Sequence, residues 1–507
     1  MLNLGDPSLG NPLQGIQTEN DNKLLVQQKV FPTELYSQTV KSMINKMPRP
    51  EEVLIAIDEH GVPRVENMQN TENSVLYEVV KEVLCNICDL TWDTTRLVVM
   101  WKLERQMDSE FSELALSRLC WAMGTMSMKL PLTDEKQFLI TIIRTLLSLC
   151  ENKSGKANKA IVASNIMYIV GQFPRFLKTN WNFTLVVINK LYEFMCEPFQ
   201  GVMDMACKTF LGIAKSLKIE FVVQQKKQAK NSKGGMSEVM DPPYIATVIR
   251  EISDRTKNLN AFNKTVFYEA VGELISAEAN KDNQMKYIQD TVSPMFSGWK
   301  ELLAMANNNE GFMRSDDTLR DLSLFMVTNE KLCKAIGFNY HVFFDLLFED
   351  LKNLYFYYSN LIINDINMNP NSATSMITRR MRAARRDIVT FIATFVSKNP
   401  DDENGKTWFT QNYAPHLLGI IEGYQKEPEN VKQPEVIELG AAIVNKLERN
   451  MGTQIIPSLL QYLLDSTLPM ITADFQSYPD HRTNFFGFIK AIVDRFFECN
   501  FFGNLKI

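Results

Sequence analysis

Residues 134–150 read DEKQFLITIIRTLLSLC, and residues 156–178 read KANKAIVASNIMYIVGQFPRFLK. The apolar residues of the first segment recur with helical spacing, which predicts an amphipathic helix. They are Phe138, Leu139, Ile140, Ile142, Ile143, Leu146, Leu147, Leu149 and Cys150. Together they cover roughly 200° of the helix, about twice the stripe with which a surface helix usually faces its core. A second element or a partner must therefore cover the excess apolar surface.

The same helical spacing recurs along the rest of the chain, and the alternation typical of strands is almost absent. Segments 76–90, 159–172, 181–195 and 340–363 all show it, separated by short breaks that often contain Pro, Gly, Asn or Asp. Pairing consecutive helices gives about nine hairpins of roughly 50 residues, close to the period of HEAT and armadillo arrays. We predict an all-α fold, an α-solenoid of HEAT repeats spanning residues 29–507.

Three segments interrupt this rhythm. Residues 1–28 are rich in Gly, Pro and Asn and predict an irregular linker or tail. Residues 51–72 contain six acidic side chains against the single Arg64, which predicts an acidic inter-helix loop; long ordered loops are usually functional. Residues 224–235 predict a solvated basic insertion. Its lysines are Lys226, Lys227, Lys230 and Lys233.

Composition limits the classes of partner. The chain has 507 residues, 45% hydrophobic and 22% charged, with a formal net charge of -5, and it is too long for one compact core. A slightly acidic chain gives no reason to expect direct nucleic-acid binding. No apolar run approaches the roughly 18 residues that span a bilayer, and the first residues lack a secretory signal. We expect a soluble intracellular protein with protein partners and no membrane contact.

The sequence offers few catalytic or metal-binding patterns. The eight cysteines are irregularly spaced and predict free thiols in a reducing compartment. Cys85 and Cys88 have redox or metal spacing, but no second pair or histidine lies nearby, which favours two core thiols. Gly155-Lys156 resembles the end of a phosphate loop without its other residues, and we interpret it as a helix start. We expect no enzyme activity, cofactor or metal.

A cluster of five arginines lies within eight residues at the start of a predicted helix. They are Arg379, Arg380, Arg382, Arg385 and Arg386. One interpretation is a solvated basic face. The other is a contact for an acidic partner or an acidic loop of the chain itself.

Several segments resemble a known family. They are FLITIIRTLLSLCENKSG at 138–155, the run at 156–178, VVINKLYEFM at 186–195, DMACKTFLGIAK at 204–215, PEEV at 50–53 and YPDHRTNFF at 478–486. Together they resemble the general nuclear export receptors of the importin-β superfamily. The similarity extends from about residue 41 to the C-terminus, and more weakly over residues 12–40.

The resemblance implies a HEAT-repeat receptor that shuttles between nucleus and cytoplasm. Such receptors carry cargo proteins with leucine-rich export signals through the nuclear pore, together with Ran-GTP and in contact with nucleoporins. In this family the signal docks in a hydrophobic groove between two neighbouring outer helices. Those helices match residues 134–150 and 181–195, so the groove region is expected within residues 132–216.

Spacing identifies part of this groove, and the resemblance supplies the rest. Apolar residues on one flank of each helix are Ile143, Leu147 and Cys150, and Phe183, Val187 and Phe194. By spacing alone, the same residues could equally pack helix on helix. The resemblance adds the floor and wall positions Ala163, Met167, Phe176, Val186 and Met205. Basic residues at the rim, which would attract acidic residues around a signal, are Arg144, Lys156 and Lys190.

Cys150 and the acidic loop receive further roles by resemblance. Cys150 lies at the C-terminal end of a predicted helix, beside Glu151. The helix dipole does not lower the pKa of a thiol at this end, whereas the positive charges of Lys153 and Lys156 would act to lower it. By spacing its role is packing. The resemblance implies that unsaturated-lactone inhibitors alkylate it. The loop at 51–72 matches one that contacts Ran and reports occupancy to the groove.

The chain departs from the family in extent. Family members have several hundred residues before the segment matching Met1 and further repeats after the one matching Ile507. We therefore expect an incomplete chain: a fragment, a truncated gene model or a divergent short form. Two functions remain open, the cargo-binding part of an export receptor and an incomplete helical-repeat scaffold that lacks productive Ran and cargo binding.

Overall fold

The computed structural model describes residues 31–51, 53–57, 63–68, 71–107, 111–198, 200–230, 236–308, 311–474 and 476–496. The tail predicted at residues 1–28 lies outside this part. The chain divides into two compact units. The first comprises Met1–Leu54, Glu66–Thr184 and Phe199–Met205, and the second Ile55–Val65, Leu185–Pro198 and Ala206–Ile507.

Seven helices lie in the first unit. They are α1 (Thr33–Lys46), α2 (Glu72–Leu90), α3 (Trp92–Met107), α4 (Glu113–Met126), α5 (Leu132–Asn152), α6 (Lys156–Gly171) and α7 (Pro174–Thr179). Side-chain oxygens of Thr71 and Ser112 cap α2 and α4 by accepting backbone N–H bonds. Gly155 precedes α6 at φ 87°, a conformation that favours glycine. The prediction of a helix start there is confirmed.

The helices of the first unit pack in two rows. One row is α1, α3 and α5, and the other is α2, α4 and α6. Each helix therefore packs on its counterpart in the next hairpin, which is how helical repeats bury their apolar faces. Fully buried Val40, Leu103 and Leu146 lie in the first row, and Leu84 and Val162 in the second.

The remaining helices follow in chain order. Two of them, α8 (Trp181–Phe194) and α9 (Gln200–Val222), begin in the first unit's residue ranges and end in those of the second. The others are α10 (Tyr244–Arg250), α11 (Ile252–Thr256), α12 (Ala261–Ser276), α13 (Lys281–Asn308), α14 (Asp316–Ile336), α15 (His341–Met368), α16 (Met376–Lys398), α17 (Glu403–Asn412), α18 (Ala414–Gln425), α19 (Glu435–Lys446), α20 (Arg449–Ala473) and α21 (Pro479–Phe496).

The second unit repeats the two-row arrangement. Helices α12, α14, α16, α19 and α21 pack successively in one row, and α15, α18 and α20 form a parallel row. Side-chain oxygens of Ser315, Ser375 and Asp402 cap α14, α16 and α17. The predicted all-α fold, a solenoid of stacked helix pairs, is confirmed within each unit.

The acidic loop and the basic insertion both contain strands. Within the acidic segment 51–72, β1 (Val53–Ile57) and β2 (Pro63–Asn67) form a two-stranded sheet, and α2 already begins at Glu72. The predicted inter-helix connection therefore contains a strand pair that the sequence did not indicate. The run VLIAI at 53–57 is rich in β-branched residues, which favour extended pairing.

The basic segment 224–235 also differs from the prediction. Strands β3 (Gln225–Lys230) and β4 (Met236–Asp241) pair antiparallel, from Gln225 opposite Asp241 to Lys230 opposite Met236. Residues 225–230 are therefore a strand, which the sequence did not predict, and residues 231–235 lie outside the described part. Backbone hydrogen bonds hold such a ladder without requiring an apolar sequence pattern.

The cysteines of the described part carry free thiols. Cys88 is buried, and the Cys85 thiol donates to the carbonyl oxygen of Thr125 over 3.3 Å, as expected for core thiols. Within the described ranges, no group of three or more His, Cys, Asp or Glu side chains is arranged to hold a metal ion. No helix of the described residues is long and apolar enough to cross a membrane.

The arginine cluster on α16 is not one solvated face. Arg385 and Arg386 are buried, so this interpretation is wrong for both residues. Nη1 of Arg385 lies 2.7 Å from Oε1 of Glu427, and Nε of Arg386 lies 3.2 Å from Oδ1 of Asp387. A buried guanidinium needs such partners, because burying an unpaired charge is very costly.

Candidate functional site

Helix α5 is anchored at its N-terminal end. Asp134 and Glu135 lie in its first turn, where negative charge complements the helix dipole. Oδ2 of Asp134 accepts a hydrogen bond of 2.7 Å from Nε1 of Trp92, the first residue of α3. Glu135, almost fully buried, forms an ion pair of 3.0 Å with Arg175 on α7. These contacts determine which faces of α5 point inward.

The inward face of α5 does not use all of its apolar residues. Phe138, Leu139, Ile142, Leu146 and Leu149 are buried. A second row of apolar side chains stays uncovered in part. Ile140, Ile143 and Cys150 are half-buried in this row, and Leu147 is 48% exposed.

This uncovered row, which we call the α5 outer face (Ile140, Ile143, Leu147 and Cys150), includes the three residues predicted from spacing. Ile140 was missing from the predicted site. Its position three residues before Ile143 is the signal that would have included it, because residues three and four apart share a helix face.

The residues predicted as groove floor are nearly closed to solvent. Ala163 and Met167 on α6 and Phe176 on α7 are all buried. They belong to the same compact unit as α5, and α5 packs on α6. Their assignment to the floor and walls of a groove, made by resemblance, stays a prediction. They pack in the unit's interior and can only support an exposed contact surface.

The first turn of α8 is tied to α7 within the first unit. The ring of half-buried Phe183 lies edge-on to that of Phe176, with centroids 5.4 Å apart. The Thr184 hydroxyl donates to the carbonyl oxygen of Leu177 over 2.8 Å and is buried. The contact with Phe176 and the hydrogen bond of the adjacent Thr184 thus hold Phe183 in place, while part of its ring stays accessible to solvent.

The other predicted residues lie on the second half of α8 and on α9. Val186 is 65% exposed, and Val187 and Phe194 are half-buried, whereas Ile188 and Leu191 of the same helix are buried. These three belong to the second unit, whereas half-buried Met205 on α9 belongs to the first. Helix α8 therefore keeps three apolar side chains at least partly accessible to solvent.

The predicted rim cations differ in their surroundings. Arg144 and Lys156 are exposed, and neither forms an ion pair within the described residues. Lys190 is also exposed but pairs with Glu193 one turn away, and its ammonium lies 5.2 Å from the centre of the Phe194 ring. Much of the Lys190 charge is therefore offset locally, so Arg144 and Lys156 are the stronger candidates for attracting an acidic ligand.

The Cys150 thiol is not activated by its surroundings. Burial raises the pKa of this thiol, Glu151 adds to the increase, and Lys159 opposes it. Lys159, and not the predicted Lys153 or Lys156, is the opposing cation; the Lys153 ammonium lies 4.5 Å from the centre of the Phe111 ring. The thiol also donates to the carbonyl oxygen of Lys159 over 3.8 Å. At neutral pH Cys150 is therefore a largely protonated, half-buried group.

Comparisons with known proteins agree on one family. Three family profiles match: CRM1 C terminal over residues 344–503, CRM1 / Exportin repeat 3 over residues 107–157 and CRM1 / Exportin repeat 2 over residues 28–95. Protein EXPORTIN 1A of Arabidopsis thaliana is 32% identical over 500 residues, covering 97% of this chain and 45% of that protein. Exportin-1 of Dictyostelium discoideum is 34% identical, covering 89% of this chain and 41% of that protein.

Among solved structures, importin beta matches over 96% of this chain and 60% of that chain, at 10% sequence identity and a TM-score of 0.40. The three profiles and the two relatives are all named for exportins, and the profiles together match more than half of this chain. The chain belongs to the exportin-1 (CRM1) family. It spans less than half the length of the curated relatives that it matches.

Proposed function

We propose that this chain acts in nuclear export by binding leucine-rich export signals of cargo proteins on the α5 outer face. Membership of the exportin-1 family supports the process. The observation that carries the proposal is the uncovered apolar row of α5, with Leu147 48% exposed at its centre. A helix whose core is already complete has no packing reason to expose such a row.

An export signal is a short peptide with spaced leucine-type side chains, and it fits this surface by the helix-in-groove mode. Each anchor that buries most of a leucine side chain contributes roughly 1.5–3 kcal/mol before the cost of ordering the peptide. On α8, exposed Val186 and half-buried Val187 and Phe194 are a separate candidate apolar contact surface within the second unit. Arg144 and Lys156 supply charge that accelerates association with acidic signals.

The other partners follow from the family. We propose Ran-GTP as the cooperating partner, nucleoporins as contacts during passage through the pore, and shuttling between nucleus and cytoplasm. The segment at residues 51–72 is the proposed element that contacts Ran, and its sheet, β1 with β2, would give such a contact a paired backbone. Deleting residues 53–67 tests this role. An unchanged affinity for cargo in the absence of Ran would speak against it.

We expect Leu147→Asp to raise the Kd of a leucine-rich export peptide at least about 30-fold. The change replaces an apolar contact with a charge that binding must remove from water. The measurement is fluorescence anisotropy of a dye-labelled peptide titrated with the 507-residue chain. Leu97→Asp, at a 63% exposed leucine on α3, is the matched control and should leave the Kd unchanged.

The same titration separates the two functions left open by the sequence. Saturable binding that Leu147→Asp removes and GTP-loaded Ran strengthens supports the export receptor. Binding unaffected by Ran assigns peptide recognition to this chain without cooperativity. No binding to the parent chain under either condition would leave the incomplete scaffold, and equal loss in Leu97→Asp would remove the α5 outer face from the proposal.

We expect unsaturated lactones to alkylate Cys150, because apolar contacts with the α5 outer face hold the reagent beside the thiol. The pKa of this thiol is raised, so its thiolate fraction and the alkylation rate should rise about tenfold per pH unit toward the pKa. Mass spectrometry of intact and digested protein measures the adduct. Iodoacetamide, which lacks the apolar body, is the control and should label exposed Cys196 first. Lactone adducts on other cysteines with none on Cys150 would contradict the prediction.

A further inference from the structure

A second candidate site lies elsewhere in the first unit, between α1, α3 and α4. It is an open cleft with a volume of about 450 Å³. We call it the α1–α3–α4 cleft. Four basic side chains line it: Lys41, Lys102, Arg105 and Arg118. No acidic side chain of the described residues lines the cleft, which makes it a local concentration of positive charge in a chain of net charge -5.

Two of the cations, Lys102 and Arg118, are held by neutral oxygens of Asn45. The Lys102 ammonium donates to Oδ1 of Asn45 over 2.6 Å, and Nη1 of Arg118 donates to the Asn45 backbone carbonyl over 2.7 Å. Within the part of the chain that the structure describes, Lys41, Lys102 and Arg118 form no ion pair. Nε of Arg118 is buried without a hydrogen-bond partner. The cleft therefore keeps unused donor capacity beside uncompensated charge.

The like charges disfavour one another. Burial lowers the pKa of Lys102, and the nearby charges of Arg105 and Lys41 lower it further. Holding cations together in this way destabilises the charged forms, and an anion placed among them removes that cost. The cleft is thus arranged to gain more from a negatively charged ligand than isolated surface lysines would.

An aromatic wall makes the cleft more than an anion site. Trp101 is 41% exposed, and its ring centre lies 5.2 Å from Nζ of Lys41 and 4.7 Å from Cζ of Arg105. These distances are within the range of cation–π contacts. Exposed Leu114 lines the cleft as well. Apolar and basic groups therefore alternate across one surface, and a bare phosphate would use only the basic ones.

We propose that the α1–α3–α4 cleft binds a short acidic peptide segment of a partner protein, in which Asp or Glu residues flank an apolar side chain. The carboxylates pair with Lys41, Lys102 and Arg118, and the apolar side chain packs against Trp101 and Leu114. Charge-assisted hydrogen bonds from a guanidinium to a carboxylate supply the directional part of this recognition. The surface is separate from the α5 outer face, and its occupancy does not depend on export-signal binding.

The test uses the full 507-residue chain and a short dye-labelled peptide with Asp-Glu pairs separated by single leucines, followed by fluorescence anisotropy. Saturable binding is expected. The double variant Lys41→Gln/Arg118→Gln should raise the Kd of the peptide about tenfold or more, because it removes two charge-assisted hydrogen bonds to the peptide carboxylates. Trp101→Ala changes an exposed residue, so folding is retained, and should weaken binding by several fold.

Matched controls make the outcome decisive. Arg96→Gln/Lys136→Gln removes the same charges at two exposed positions outside the cleft and should leave the Kd within about twofold. The peptide with Asn and Gln in place of its acids should not bind. Absence of saturable binding, or equal weakening in both double variants, would overturn the proposal. Complete displacement of the peptide by millimolar phosphate would assign a simple anion site, and preferential binding of an RNA oligonucleotide would assign a different ligand; either result also overturns it.

Discussion

Arg385→Met is expected to lower the free energy of unfolding by about 3–5 kcal/mol, because it leaves a buried carboxylate without its partner. Arg385 is fully buried on α16. Its guanidinium donates to Oε1 of Glu427 over 2.7 Å, to the carbonyl oxygen of Val431 over 2.6 Å and to Oε1 of Gln433 over 2.8 Å. One side chain thus ties α16 to the segment between α18 and α19.

The loss should depend on pH in a defined direction. Burial raises the pKa of the Glu427 carboxyl, and the Arg385 charge opposes that increase. Without Arg385 the native pKa of Glu427 rises further above its unfolded value, so the native state favours the protonated form. A group whose pKa is higher in the native state than in the unfolded state contributes stability below its unfolded-state pKa. That contribution is lost as the pH rises through its native-state pKa. The difference in free energy of unfolding between Arg385→Met and the parent chain should therefore become smaller as the pH falls.

Urea unfolding followed by circular dichroism measures the global loss of stability. Hydrogen exchange with mass spectrometry should localise the loss to α16 and to the segment between α18 and α19. Arg379→Met, at a half-buried member of the same arginine cluster, is the control and should cost less than about 1 kcal/mol. The double variant Arg385→Met/Glu427→Leu removes both charges and should lose less than the sum of the single changes. Additive losses would show that the two side chains are not energetically coupled.

Phe344→Ala is expected to cost about 3–5 kcal/mol, because it opens a cavity in the aromatic core of the second unit. The Phe344 ring is fully buried and stacks on Phe395 with centroids 3.7 Å apart. It also contacts the edge of Phe391 at 5.3 Å and lies 6.0 Å from Tyr413. Removing it takes one ring contact from each of Phe395, Phe391 and Tyr413, although each of them keeps other ring contacts.

The same urea and hydrogen-exchange measurements test this prediction, with faster exchange expected in α15 and α16. Phe486→Ala, at a 61% exposed phenylalanine on α21, makes the same chemical change without a cavity and should stay within about 0.5 kcal/mol of the parent. Phe344→Leu should recover part of the loss, because it refills much of the space. If Phe344→Ala and Phe486→Ala lower the free energy of unfolding by similar amounts, the ring stack around Phe344 is not the cause of the loss.

The helical periodicity of the chain predicted much of its fold and part of the candidate site. Spacing alone identified Ile143, Leu147 and Cys150 as one flank of α5, and the structure leaves all three at least partly accessible. It could not separate an open surface from internal packing, and it did not indicate that Ala163, Met167 and Phe176, which the resemblance places at the groove floor and walls, are buried. Their burial depends on which helices pack over them, and a single-helix pattern contains no such information.

The two strand pairs illustrate the same limit. The run QKKQAK at 225–230 has no apolar face, and its ladder with β4 is made of backbone hydrogen bonds. Backbone groups are identical at every residue, so side-chain periodicity does not report their pairing. The β-branched residues of the apolar run at 53–57 favour a strand, but the acidic residues on either side led to the prediction of a loop.

By itself the sequence determined the all-α class and the surplus apolar face of α5, because a period of 3.6 residues places side chains on helix faces without reference to the rest of the chain. Arg385 shares the buried face of α16 with Met381 and Ile388, yet the five clustered arginines left open whether it faces solvent or an acidic group. Only the tertiary structure decided its burial, because the carboxylate that makes a buried guanidinium tolerable comes from Glu427, on a segment that the fold brings to α16.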